Sequence, residues 1–122
     1  MWTLDSEAAL PCWRLHPVEP GATLAFTTRR GGVSVSPYDT LNLGRSTPDR
    51  IEAVDENRRR LLDALGLDPV LLVTAGQVHG AGVTPVDAAG HVPGCDALLS
   101  TRRGLTLAVT TADCMSLIYT AP

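Results

Sequence analysis

Two side chains in this sequence have the chemistry of metal ligands: His79, in Gln77-Val78-His79-Gly80, and Cys114, in Thr111-Ala112-Asp113-Cys114. A neutral imidazole and a thiolate both suit a borderline-soft metal such as zinc. A catalytic zinc centre normally uses three protein ligands and leaves one position open, and the His-x34-Cys spacing is not that of a zinc finger. Asp113 adds a carboxylate next to the thiol. It is costly to bury unless it binds something, for example a ligand imidazole or a substrate amine.

Local sequence leaves other roles open for the same groups. His79, between Val78 and Gly80, also fits a hydrogen-bonded core histidine, and free cysteine is often a small buried hydrophobe. Cys114 with His79 as its base would make a cysteine hydrolase or transferase, provided the thiol lies within hydrogen-bond reach of the imidazole and its pKa is depressed. Arg29 precedes Gly31-Gly32, where backbone N–H groups and a guanidinium fork could hold an oxyanion such as phosphate. On spacing alone, a surface arginine at a hairpin end is the better reading. His16, His91, Cys12 and Cys95 read as incidental.

For His79 and Cys114 to meet, strands must carry them to a common edge. Strands are expected at Val70 to Ala75, Val83 to Val86, Ala97 to Ser100, Leu105 to Thr111 and Leu117 to Thr120, with an earlier one in Ala22 to Thr28. His79 then follows one strand and Cys114 another, so both reach one sheet rim with Asp113 close by. Leu105, Leu107 and Val109 alternate with Thr106, Ala108 and Thr110, which predicts one fully buried strand face. A helix is expected with Thr47 as cap, Pro48 in its first turn, and Ile51, Val54, Leu61, Leu62 and Leu65 on its apolar face before Gly66. Asp55 with Arg59 and Glu56 with Arg60 are i,i+4 pairs on a solvated face that includes Arg58.

Composition narrows the class. The 122 residues suit a single domain spanning 1–122, and 44% hydrophobic with 19% charged residues is a globular balance. A net charge of -3 disfavours nucleic acid and anionic membranes as partners. There is no lysine, which excludes Schiff-base chemistry and a Walker-type phosphate loop. Three cysteines without a Cys-x-x-Cys pair argue against a disulfide framework. Met1 to Leu10 lacks the pattern of a signal peptide, and no run reaches the ~20 apolar residues of a membrane span, so a cytoplasmic location is expected.

Phe26-Thr27-Thr28-Arg29-Arg30-Gly31-Gly32-Val33-Ser34, Pro37-Tyr38-Asp39-Thr40-Leu41-Asn42-Leu43-Gly44, Glu56-Asn57-Arg58, Gln77-Val78-His79-Gly80, Asp96-Ala97 and Thr111-Ala112-Asp113-Cys114 occur in that order. Together they resemble the YfiH-like family, also called the laccase-domain or multicopper polyphenol oxidase family. The resemblance runs from about Leu24 to Tyr119 and implies an α+β fold, a mixed β-sheet sandwich with flanking helices. It also implies a mononuclear zinc site, with copper as the alternative metal from an earlier polyphenol-oxidase label. His79 matches the first ligand and Cys114 the second. The third is a histidine in a His-Ala-Gly-Trp-Arg-Gly segment that follows the cysteine strand, and this sequence does not contain it. Met115-Ser116 is a second departure, since the family usually has an apolar residue and proline there.

The activity implied is zinc-dependent phosphorolysis of purine nucleosides, with adenosine deaminase and methylthioadenosine phosphorylase activity. Purine nucleoside and phosphate are the small-molecule partners. His79, Asp113 and Cys114 are then the candidate catalytic residues, and Arg29 and Asn42 the candidate substrate contacts. Without the third ligand motif, the expectation is an N-terminal portion of the family domain that needs a complementary C-terminal segment or a second chain. The alternative is a catalytically inactive fragment or partner-dependent module.

Overall fold

The computed structural model describes residues 1–16 and 22–121. They form two compact units, Met1–Ala64 with Met115–Pro122, and Leu65–Cys114.

The first unit opens with three antiparallel strands, β1 (Trp2–Asp5), β2 (Cys12–Leu15) and β3 (Ala25–Thr27), in the order β1-β2-β3. β1 and β2 were not anticipated from the sequence. The register aligns Leu4 with Trp13 and Trp13 with Phe26, so these side chains form one row across the sheet. That face is open: Leu4, Trp13 and Phe26 are each about two-fifths exposed. Cys12 lies on the opposite face and is buried with Leu10, Leu41, Val54 and Leu62.

Helix α1 (Ile51–Leu65) follows a long loop. It contains no glycine or proline, and Val54, Asn57 and Leu62 form its buried stripe. Gly66, at φ +67, ends it in the left-handed conformation that glycine adopts without penalty. The helix begins later than expected. Thr47 does not cap it, because its hydroxyl donates to Gly44 O at 2.9 Å and accepts from Asn42 Nδ2 at 2.8 Å, which holds the preceding turn. The ion pairs also differ in part. Glu56 does pair with Arg60, but Asp55 pairs with Arg45, and Arg59 reaches Glu56 and Asp63. Arg58 leaves the solvated face: half-buried, it donates Nε to Leu43 O at 2.8 Å, and burial lowers its pKa.

Asn57, with no exposed surface, organises the loop over the helix. Its Oδ1 accepts from Val33 N at 2.8 Å, and its Nδ2 donates to Ser34 Oγ (2.8 Å), Asn42 O (2.9 Å) and Thr40 O (3.2 Å). Ser34 Oγ in turn donates a hydrogen bond to Asp49 Oδ2 at 2.7 Å. Hydrogen bonds from Ser34 and then Asn42 hold the Asp49 carboxyl below its ordinary pKa.

In the second unit Asp68 caps a 3-10 turn, Pro69–Leu71, by accepting from Val70 N. That turn takes the start of the expected Val70 strand, and β4 runs Leu72–Gly76. β5 (Val83–Pro85), β6 (Gly90–Pro93), β7 (Ala97–Leu99) and β8 (Thr106–Ala108) follow. β4 lies between β6 and β8 and is parallel to both, while β5 pairs in parallel with β7. β6 was not foreseen, since Gly90 and Pro93 mask it as a loop, and Leu117 to Thr120 forms no strand. The expected burial along β8 is also corrected. Leu107 is 39% and Val109 43% exposed, because β8 is an edge strand in this sheet and that face is only partly covered. The mixed strand-and-helix class is observed, as small sheets and one α-helix.

Candidate functional site

Parallel pairing of β4 and β8 brings their C-terminal ends to the same rim, and the chain leaves that rim towards His79 from one strand and towards Cys114 from the other. A side-chain clamp ties the two exits together. Gln77 Oε1 accepts from Thr110 N at 2.9 Å and from Thr110 Oγ1 at 3.2 Å, while Gln77 Nε2 donates to Thr110 O at 2.9 Å. Gln77 thus satisfies both backbone groups of Thr110, extending the ladder by one side chain beyond the last strand pair. His79 lies two residues past the clamp on one strand and Cys114 four past it on the other.

His79 is exposed and sits at φ +58, the one non-glycine residue at positive φ among those described. Cys114 is an exposed free thiol, 3.9 Å from Asp113 Oδ1. Neither ligand candidate is therefore the buried core residue that its local sequence also allowed. Among the described residues no three His, Cys, Asp or Glu side chains are grouped to hold a metal ion. His79 and Cys114 remain candidate donors, an imidazole and a thiol of the kinds that suit zinc or copper.

His91, on β6, sits opposite Thr74 on β4 and shares a hydrogen bond between its Nδ1 and Thr74 Oγ1 at 3.0 Å. Its ring lies over Gly76, where a Cβ would stand only 2.8 Å from His91 Nε2. Packing accounts for that glycine just before the Gln77 motif. The clamp made by Gln77 was not read from the sequence. Its only signal there was the place of Gln77 in the Gln77-Val78-His79-Gly80 motif, without a geometry to relate it to Thr110.

Arg29 and Asn42 belong to the first unit. Arg29 donates Nε to Asp39 O at 2.8 Å and pairs with the Asp39 carboxylate at 3.5 Å, its side chain otherwise exposed. Asn42 donates to Thr47 Oγ1 and to Asp49 Oδ2 (3.0 Å), and its Oδ1 accepts from Gly44 N at 3.1 Å. The glycine pair beside Arg29 does make a close approach, but to the protein's own backbone. A Cβ on Gly32 would stand 2.0 Å from Thr40 O, and one on Gly31 2.6 Å from Ala9 O. The N–H groups of Gly32 and Val33 are likewise committed, to Thr40 Oγ1 and Asn57 Oδ1.

Residues 23–122 match the family described as multi-copper polyphenol oxidoreductase laccase. The chain belongs to this family. It is 47% identical over 113 residues to a purine nucleoside phosphorylase of Streptomyces griseus, covering 89% of this chain and 46% of that protein. It is 38% identical over 115 residues to the purine nucleoside phosphorylase YfiH of Escherichia coli, covering 93% of this chain and 46% of that protein. Among solved structures it resembles YlmD from Geobacillus stearothermophilus, with a TM-score of 0.80 and 35% identity over 84% of this chain and 42% of that one. It also resembles a Bacillus licheniformis hypothetical protein, YfiH, with a TM-score of 0.82 and 29% identity over 91% of this chain and 45% of that one. The YfiH-like fold is therefore shared, and the chain spans less than half the length of these family members. No helix among the described residues is long and apolar enough to cross a membrane.

Proposed function

We propose that this chain contributes His79 and Cys114 to a zinc site that serves phosphorolysis of purine nucleosides. The observation that supports this reading is the rim itself: parallel β4 and β8, clamped by Gln77 and Thr110, end at one edge, from which the chain runs on to His79 and to Cys114. The relatives named purine nucleoside phosphorylases supply the substrate class. A bound zinc would act as a Lewis acid with an open position and could lower the pKa of a water to about 7, which also accommodates adenosine deamination. Copper is the alternative metal, in keeping with the family's oxidoreductase description.

The chain's own groups have separate tasks. His79 and Cys114 would hold the metal, the latter as thiolate. Asp113, one residue before the thiolate, accepts or returns a proton. Arg29 neutralises phosphate charge by exchanging its partly solvent-exposed Asp39 contact for the stronger fork to an oxyanion. Asn42 holds the loop beside it and is the second substrate contact. In phosphorolysis a phosphate oxygen bonds to the ribose anomeric carbon as the glycosidic bond breaks, and that bond's electron pair leaves with the purine. Methylthioadenosine reacts in the same way at the same carbon. A third donor would be supplied by a complementary C-terminal segment or a second chain.

The test is an assay of adenosine, inosine and methylthioadenosine with phosphate and zinc, run with this chain alone and with a relative's His-Ala-Gly-Trp-Arg-Gly-containing segment. Free purine released only by the mixture, and lost with His79→Ala or Cys114→Ala, supports the reading. Zinc binding unaffected by both substitutions removes the metal site. Selective alkylation of Cys114 that abolishes a metal-independent turnover would instead support a cysteine nucleophile.

A further inference from the structure

The turn that carries His79 is held from both sides by one carboxylate. Asp96 Oδ1 accepts from Val78 N and Asp96 Oδ2 from Gly80 N, each at 3.0 Å. One planar group therefore holds the Gln77–Val78 and His79–Gly80 peptide units, which bracket Val78 and His79. His79 is at φ +58, a conformation that side-chain-bearing residues rarely adopt and that persists when the surroundings over-determine it. Asp96 is itself well anchored. It follows buried Cys95 and leads into β7, with Asp96 N and Ala97 N both donating to Gly82 O, at 2.9 and 3.0 Å. Gly80 fits the same arrangement, since a Cβ there would press to 3.3 Å from Asp96 Oδ2. The carboxylate makes no hydrogen bond to the imidazole, so it acts on His79 through the backbone alone.

We propose that Asp96 is the positioning residue of His79: by bridging the Val78 and Gly80 amides it presets the direction in which the imidazole leaves the rim, before any metal binds. This rests on the reading of His79 as a metal ligand. Orienting groups around metal ligands typically affect affinity by about 10–100-fold, and a backbone clamp on the ligand residue belongs in that range.

The test uses the metal-free chain and the chain titrated with zinc. Amide hydrogen exchange of Val78 and Gly80 should be slow in the parent chain and fast at both in Asp96→Ala, while Val73 in the centre of β4 stays protected. Zinc affinity, from competition with a chromophoric chelator, should fall by roughly 10–100-fold. Asp96→Asn keeps one acceptor oxygen, so one of the two amides stays protected and affinity is intermediate. It also serves if Asp96→Ala does not fold. Unchanged exchange at Val78 and Gly80 in both variants, or lost protection with parent zinc affinity, overturns the proposal. His79→Ala separates the two ideas: zinc binding that ignores it refutes the ligand reading, while the exchange rates still decide whether Asp96 clamps the turn.

Discussion

At the residue scale, the side chains that matter most do backbone work. Asn57 gives its whole amide to the loop of residues 33–42, so Asn57→Ala strands a buried N–H and several carbonyl or hydroxyl groups at once. Unsatisfied buried groups cost about 1–3 kcal/mol each, partly relieved by water, so a loss of about 3 kcal/mol is expected from the urea midpoint. Gly32 and Gly66 make a contrasting pair. Gly32→Ala drives a methyl into Thr40 O and should leave little folded protein, whereas at Gly66 nothing lies within 4 Å and only the φ of +67 opposes alanine. That substitution should cost about 1 kcal/mol, read from the same denaturation curves. Gln77→Ala should free the Thr110 amide to exchange without unfolding β4, since the clamp lies beyond the last strand pair.

At the element scale, helix α1 carries a pH-dependent contribution. Hydrogen bonds from Arg59 and then Arg60 lower the Glu56 pKa from 4.5 to about 2. Because the folded pKa is depressed, the stabilisation is fully present above pH 4.5 and is lost as pH falls through about 2. Urea midpoints measured from pH 5 to 2 should therefore fall less steeply in Glu56→Gln. The difference should shrink in high salt, as expected of an exposed, screened network. The helix core was legible in the sequence from the spacing of Val54 and Leu62 and from Gly66. Its start was not. Thr47 and Pro48 have the composition of a cap and first turn, but the Thr47 hydroxyl binds Gly44 O, a choice that depends on how the loop folds back. Strands were legible where aliphatic runs were long, as at Leu72 to Ala75, and hidden where Gly and Pro interrupt them, as in β6.

At the scale of the whole molecule, apolar surface remains open. In the first unit, Trp2, Trp13, Leu15, Leu24 and Phe26 line a cavity of about 390 Å³ together with residues 116–118. Both tryptophans of the chain are on it, each about 40% exposed. Acrylamide should therefore quench the folded chain's fluorescence readily. If the complementary segment covers this face, its addition should shift the emission to the blue and protect it, and unchanged quenching would place that segment elsewhere.

The sequence alone determined the family and the core of the helix, and it named His79 and Cys114 as candidate donors, because these depend on residue identity, order and short-range periodicity. Tertiary structure decided that β4 and β8 are parallel neighbours and that Gln77 joins their ends. It also decided that Asp96 holds His79 at positive φ and that the Gly31-Gly32 pair meets the protein's own backbone. Each of those contacts joins residues well separated along the chain, and a hydrogen bond or a steric limit between distant residues exists only once folding has brought them together.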